Sequence, residues 1–168
     1  MALVSSKLFG VAVAVMLVVY LAKCLGKKAI PIIAGIAIAV VICDQVASHF
    51  IKNWVQRYRP CHNPALEGMI RLVVGCGGQY GFVSSHAAIA AGIAAYLTFF
   101  MDRRFAWWIK DVSWFLVLII SYSRIYLGVH YPSDVLGGAC AGMAVGFLVY
   151  QAQRRIRFLK KGAADEKD

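Results

Sequence analysis

The sequence predicts an all-α, polytopic transmembrane helix bundle with five spans. Three observations lead there. Hydrophobic residues make up 61% of the 168-residue chain, against roughly 45–50% in soluble domains, and the mean hydropathy is +0.68. The excess is gathered into five runs, each near the roughly 20 residues that cross a bilayer. The cations sit in short segments between those runs. A net charge of +10 would otherwise suggest nucleic acid. Placed this way it reads as membrane topology and anionic headgroups, with membrane lipids as partners and no nucleic acid.

The first span covers residues 2–22 and carries only Lys7 at its leading end. No small-x-small site precedes Lys23-Cys24-Leu25-Gly26-Lys27-Lys28, so a retained helix is expected rather than a cleaved leader. The second covers residues 29–51. The third covers residues 84–101 and opens on Ser84, a natural N-cap. The fourth, residues 105–122, is the least clean, because Lys110 and Asp111 lie near its start. Trp107, Trp108 and Trp114 suit an interfacial aromatic belt there. The fifth covers residues 132–150, with Pro132 suited to a first helical turn. Gly138, Gly142 and Gly146 mark one face of span five, and Ala87, Ala91 and Ala95 one face of span three. Such stripes let helix backbones approach closely. Residues 1–161 read as a single domain, followed by a polar, disordered cytoplasmic tail over residues 162–168.

Orientation follows from the loops. Lys23, Lys27 and Lys28 join spans one and two; Arg103, Arg104 and Lys110 join three and four; Arg154, Arg155, Arg157, Lys160 and Lys161 follow span five. These fall on one side, which the positive-inside rule makes cytoplasmic. The loops over residues 52–83 and 123–131 face the other way, with Lys7, Lys52, Arg57, Arg59, Arg71 and Arg124 as the outer cations. The expected location is a bacterial cytoplasmic membrane, with these loops facing the periplasm or the outside. Five cysteines fix no redox compartment. Cys43 and Cys140 read as small buried residues in apolar spans. Cys61 and Cys76 share the outer loop, where an oxidising compartment permits a disulfide. No CxxC or Cys/His metal spacing is present, and neither a metal nor another cofactor is expected.

Three polar clusters stand at the outer ends of the spans. His130 sits at the mouth of span five with Asp134 one turn in. An Asp that accepts the imidazole Nδ1–H leaves Nε2 as a free nucleophile; taken alone, the pair serves equally as a structural contact at a helix end. Ser123-Arg124 ends span four, six residues from His130, and arginine offers a planar fork for phosphate oxygens. Ser84-Ser85-His86 opens span three, where free helix amides attract anions and His86 is placed to donate a proton. Lys52 and Arg59-Pro60 follow span two. Cations at a membrane edge commonly anchor headgroups, but these run against the positive-inside trend. Asp44, Ser48 and Lys52 share one helix face, with Asp44 in a supporting role; His49 reads as interfacial. His62 and Glu67 read as solvated loop residues. Gly75, Gly77, Gly78 and Gly81 give the approach to span three the flexibility of a loop that admits substrate.

Lys52-x6-Arg59-Pro60, Ser84-Ser85-His86 and Ser123-Arg124-x5-His130-x3-Asp134, in that order, resemble the three-part signature of the type 2 phosphatidic acid phosphatase superfamily. The match spans residues 52–134. The resemblance implies a metal-independent phosphatase that passes through a phosphohistidine. His130 would be the nucleophile, Asp134 would orient it, and His86 would protonate the leaving group. Lys52, Arg59, Ser84, Arg124 and the amide of Ser85 would hold the phosphoryl oxygens. Two departures stand out. The family's middle motif reads Pro-Ser-Gly-His, where this chain has Val83-Ser84-Ser85-His86; if the glycine position needs positive φ, Ser85 is strained there. Membrane members usually have six spans with two ahead of the helix leading to the first motif. One precedes it here, so either that first helix is absent or the sequence begins late. The expected substrate is a terminal phosphate of a lipid at the outer leaflet. Undecaprenyl diphosphate comes first, with phosphatidylglycerol phosphate and a lipid A phosphate as alternatives. An anion transporter or a non-catalytic membrane scaffold are the readings of another class.

Overall fold

Ser6 starts the first helix, its Oγ accepting the Phe9 N–H at 3.2 Å, and the helices that follow trace the apolar runs. The computed structural model describes residues 1–165 other than 5, 67, 71, 73, 74 and 102. Glu67 and Arg71, read above as outer-loop residues, lie outside the described residues. The α-helices are α1 (Lys7–Leu25), α2 (Ala29–Gln45), α3 (Lys52–Val55), α4 (Ser85–Phe100), α5 (Arg103–Tyr126) and α6 (Pro132–Asp165). Among the described residues there is no strand, only an isolated antiparallel bridge between Tyr58 and Tyr80.

The ends of the helices differ from those of the apolar runs. A π-helical turn over Val46–Ile51 joins α2 to α3 and carries the helix through Lys52; it stops at Gln56, which takes a left-handed conformation with φ 49°. Helix α5 continues to Tyr126, so Ser123 and Arg124 lie inside it rather than after it. Helix α6 continues to Asp165 and takes in residues 162–165 of the expected tail. A hydropathic run ends where water or headgroups begin, but a helix continues while the residues favour it. Gln, Arg, Lys and Ala, which follow residue 150, all do.

Two helical stretches are long and apolar enough to cross a membrane by themselves, Leu8–Val55 with 48 residues and Pro132–Leu159 with 28. The outward faces of the helices are apolar as well: Leu8, Val11 and Val15 of α1, Phe115 and Leu118 of α5, and Leu136 and Leu148 of α6 are all exposed. That is the surface of a protein solvated by lipid. Helix α4 has 16 residues, about 24 Å at 1.5 Å per residue, and lies in the interior against α6, α5 and α2.

The glycine stripe of α6 meets α4 backbone to backbone. A Cβ added at Gly138 would strike the Ser84 carbonyl, one at Gly142 the Ala88 carbonyl, and one at Gly146 the Gly92 carbonyl. Ala87, Ala91 and Ala95 on α4 are buried. No hydrophobic force separates apolar side chains from lipid tails, so close backbone packing of small residues is what holds such helices together. At the far end of this contact Tyr96 Oη donates to Gln153 Oε1 at 2.6 Å. Gln153 Nε2 donates in turn to the Pro31 carbonyl at 3.1 Å, tying α2, α4 and α6 together.

Two expectations are corrected. Cys140 is exposed, because α6 presents it away from α4; Cys43 is buried as expected. Trp107 and Trp108 are exposed as an interfacial belt requires. Trp114 instead turns inward and donates its Nε1–H to Thr98 Oγ1 at 3.1 Å, since an indole N–H in an apolar bundle needs a partner.

Replacing Gly142→Val should force α6 off α4. The thermal unfolding midpoint of the detergent-solubilised protein is expected to drop by the equivalent of roughly 1–3 kcal/mol. An unchanged midpoint would show that the two backbones do not touch there.

Candidate active site

The three polar clusters meet at one end of the bundle because the segment between Arg57 and Gly81 folds back on itself. Arg59 N–H donates to the Gln79 carbonyl at 3.1 Å, and Gly81 N–H to the Arg57 carbonyl at 2.8 Å. In this extended pairing Arg57 and Arg59 point to the same side. The returning segment must pass very close: a Cβ on Gly81 would lie 3.0 Å from Arg59 Cγ and 3.2 Å from Asp134 Oδ2. A disulfide between Cys61 and Cys76, with Cα atoms 6.1 Å apart, staples the loop. His62 Nε2 lies 3.2 Å from the Gly77 carbonyl beside it.

Asp134 is the most heavily used group. It is 0% exposed. Its Oδ1 accepts from Arg57 Nη1 at 3.0 Å and its Oδ2 from the Tyr131 N–H at 2.9 Å. Its backbone carbonyl accepts the Ser84 N–H at 2.9 Å, fixing the start of α4 to the first turn of α6. Arg57 Nη1 also donates to Ser133 Oγ at 2.6 Å, and its guanidinium lies 4.2 Å from the Tyr131 ring centre. Sequence reasoning missed Arg57 as a site residue. The signal was there in the alternation Arg57-Tyr58-Arg59, which puts both cations on one face of an extended segment.

His130 is 3% exposed and lies in the turn between α5 and α6. Its Nδ1 stands 3.6 Å from Asp134 Oδ2, within ion-pair range but beyond a hydrogen bond. Unliganded sites often hold such contacts long until substrate tightens them. Burial lowers the His130 pKa below its ordinary 6.5; Asp134 opposes the shift, while Arg59 and Arg124 add to it. The imidazole is therefore neutral, and nucleophilic, at neutral pH.

The middle cluster is organised by Ser85. It is the first residue of α4 and is not at positive φ, since Gln56 is the non-glycine residue that is. The strain expected for a serine in the glycine position is absent. Its hydroxyl instead joins a chain. Lys52 Nζ donates to Ser85 Oγ at 2.8 Å, Ser85 and Ser48 hydroxyls lie 3.1 Å apart, and Ser48 Oγ donates to Asp44 Oδ1 at 3.2 Å. Because the Ser48 proton goes to Asp44, Ser85 must be the donor to Ser48. Asp44 thus supports Lys52 through two hydroxyls, along the shared face read from the sequence.

Ser84 is the N-cap residue of α4, yet its side chain makes no capping hydrogen bond. Its Oγ is buried without a partner among the described residues, a costly state for a hydroxyl unless a ligand completes it. His86 is exposed and lies within electrostatic range of Arg124, His130, Lys52 and Arg59. All eight residues singled out by the sequence, Lys52, Arg59, Ser84, Ser85, His86, Arg124, His130 and Asp134, therefore gather at one end of the bundle. Together they bring three cations and two imidazoles to one place.

A sequence profile described as the PAP2 superfamily matches residues 28–158. The chain belongs to the PAP2 superfamily. It is 34% identical over 139 residues to a lipid A 4'-phosphatase of Porphyromonas gingivalis, over 82% of this chain and 58% of that protein. It resembles the crystal structure of LpxE from Aquifex aeolicus, with a TM-score of 0.59 and 26% identity over 83% of this chain and 77% of that one. The crystal structure of the first transmembrane PAP2 type phosphatidylglycerolphosphate phosphatase from Bacillus subtilis shares the fold, with a TM-score of 0.62 and 20% identity over 90% and 72% of the two chains. The chain spans a little over half the length of the curated relatives it matches.

Within this PAP2 chain, Arg57→Gln removes the cation that faces the buried Asp134 carboxylate. The thermal midpoint is expected to fall by the equivalent of about 1 kcal/mol or more, a figure discounted because Arg57 is itself 40% exposed. Arg57→Lys should recover part of the loss. Equal melting of all three forms would remove Arg57 from the account of Asp134.

Proposed function

We propose that this protein is a membrane lipid phosphatase that works through a phosphohistidine. The observation that carries this is the buried His130 with Asp134 3.6 Å behind its Nδ1, in electrostatic reach of Arg59, Arg124 and His86. Phosphoryl transfer depends mainly on charge neutralisation and alignment. Lys52, Arg59 and Arg124, the Ser84 hydroxyl and the Ser85 amide hold the three non-bridging oxygens. His130 Nε2 attacks phosphorus as the bond to the leaving oxygen breaks, and His86, charged once the phosphate anion offsets the surrounding cations, gives that oxygen its proton. In the second half His86, now neutral, takes a proton from water. The resulting hydroxide attacks phosphorus, the P–N bond breaks, and inorganic phosphate leaves. No step of this scheme requires a metal.

The substrate we infer is a phosphate carried on a lipid at the outer leaflet of a bacterial cytoplasmic membrane, with five spans crossing that membrane. Beside Lys52, Phe50 is 76% and Trp54 is 87% exposed, an aromatic flank that suits acyl or prenyl chains. The identity to a lipid A 4'-phosphatase favours a glycolipid phosphate monoester over undecaprenyl diphosphate, which analogy within the family put first.

Phosphate release from a lipid A phosphate, undecaprenyl diphosphate and phosphatidylglycerol phosphate, measured in EDTA, tests the proposal. His130→Ala should lower kcat on the order of 10³-fold or more. Unchanged release would sink the nucleophile, no release from any lipid would favour a transporter or scaffold, and dependence on a divalent cation would contradict the scheme.

The acidity of His130 sets a pH limb. The neutral form is the reactive one and its pKa is held below 6.5. Activity should therefore persist as pH falls to 6.5 and fail only as pH drops through the depressed value. A rate on the acid side already halved at or above pH 6.5 would contradict a neutral, buried imidazole.

A further inference from the structure

The bundle has a cationic cleft at the end opposite the catalytic residues. A cleft of about 360 Å³ opens where the corner between α1 and α2 meets the ends of α4 and α6. Its walls are Leu25, Ile32, Phe100 and Met101, and its cations are Lys28 and Arg157. Arg157 is not a loose surface side chain, since its guanidinium is held 4.3 Å from the centre of the Phe100 ring. Behind the cleft, the Tyr96–Gln153–Pro31 hydrogen bonds fix α4, α6 and α2 against one another. None of the described lining residues is acidic.

The cleft cannot serve the catalytic residues. Phe100 lies about 21 Å from His86 along α4, and Arg157 about 35 Å from Asp134 along α6, at 1.5 Å per residue. Those lengths put the cleft at the end of the bundle away from the catalytic residues, a separation comparable to the roughly 30 Å of a hydrocarbon core. Both cations stand where apolar helices run out, at headgroup depth. Two positive groups over apolar walls suit a molecule that is anionic at one end and greasy at the other. A soluble anion would leave those walls in water. Lys23, Lys27 and Arg154 lie in the same segments of sequence and add to the positive potential, which attracts acidic lipids.

We propose that this cleft binds an anionic phospholipid of the opposite leaflet, its phosphate between Lys28 and Arg157 and its first methylenes against Leu25, Ile32 and Phe100. The lipid is a bound companion at a site of its own and not the substrate. The proposal concerns binding alone and stands apart from the phosphatase reading.

Native mass spectrometry and thermal shift of the full chain in detergent test it, with phosphatidylglycerol, phosphatidylcholine and inorganic phosphate as separate probes. Phosphatidylglycerol should bind and stabilise; phosphatidylcholine and inorganic phosphate should do neither at matched concentration. The Lys28→Gln/Arg157→Gln double variant should bind phosphatidylglycerol roughly tenfold or more weakly, from two lost cations near a membrane surface. His130→Ala should bind it as the wild type does. Lys28→Arg/Arg157→Lys keeps both charges and should keep the affinity, which separates a lost site from a misfolded chain. Wild-type binding by the charge-removing variant, or equal stabilisation by phosphatidylcholine, would overturn the proposal. Equal stabilisation by inorganic phosphate would make the cleft a simple anion site and overturn the lipid assignment. A photoactivatable phosphatidylglycerol should label segments around Lys28 and Arg157 in the wild type, and labelling confined to the catalytic end would count equally against it.

Discussion

The buried carboxylate of Asp134 is the constraint around which the catalytic end is arranged. A carboxylate at 0% exposure is stable only if its oxygens are occupied. Its partners come from two parts of the chain: Arg57 from the loop after α3, and the Tyr131 amide and His130 from the turn before α6. The Asp134 carbonyl adds the Ser84 amide and so fixes the entry to α4. One residue thereby sets the relative positions of all three polar clusters. Gly81 follows from the same constraint, because a side chain there would intrude on both Arg59 and Asp134.

Such positioning needs a rigid base, and the contact between α4 and α6 supplies it. Gly138, Gly142 and Gly146 let α6 lie directly on the α4 backbone. His86 stands at the start of one helix and Asp134 at the start of the other, so the distance between them is set by backbone contact rather than by flexible side chains. Preorganisation of this kind is what electrostatic catalysis requires, since groups already in place need no rearrangement during reaction. The disulfide between Cys61 and Cys76 does the same for the loop between α3 and α4, where the Tyr58 and Tyr80 rings also meet, 5.8 Å between centres.

The middle motif shows how a departure from a family pattern is absorbed. A serine stands where related motifs have glycine. With a helical backbone at that position, the added hydroxyl costs no strain and gains partners on two sides. Lys52, a flexible cation, is thereby held in one place, and its charge is balanced by Asp44 at the end of a chain of hydroxyls. Glycine at this position would leave Lys52 without that anchor.

Hydropathy and charge order alone determined the helical class, the five apolar runs and the grouping of the polar clusters on one side. The bilayer imposes those patterns directly on the linear sequence: apolar length to cross, cations to stay in. The spacing of Lys52, Arg59, Ser84, His86, Arg124, His130 and Asp134 was equally legible, since each lies near the end of an apolar run. Other features belonged to the tertiary structure alone. Arg57 rather than a nearer cation faces Asp134, Ser85 holds Lys52, Trp114 turns inward, and Lys28 meets Arg157 across a cleft. The partners stand 16 to 129 positions apart in the chain, and no local period or composition names them. They arise only when buried polar groups, drawn together by packing, must find partners or remain unsatisfied.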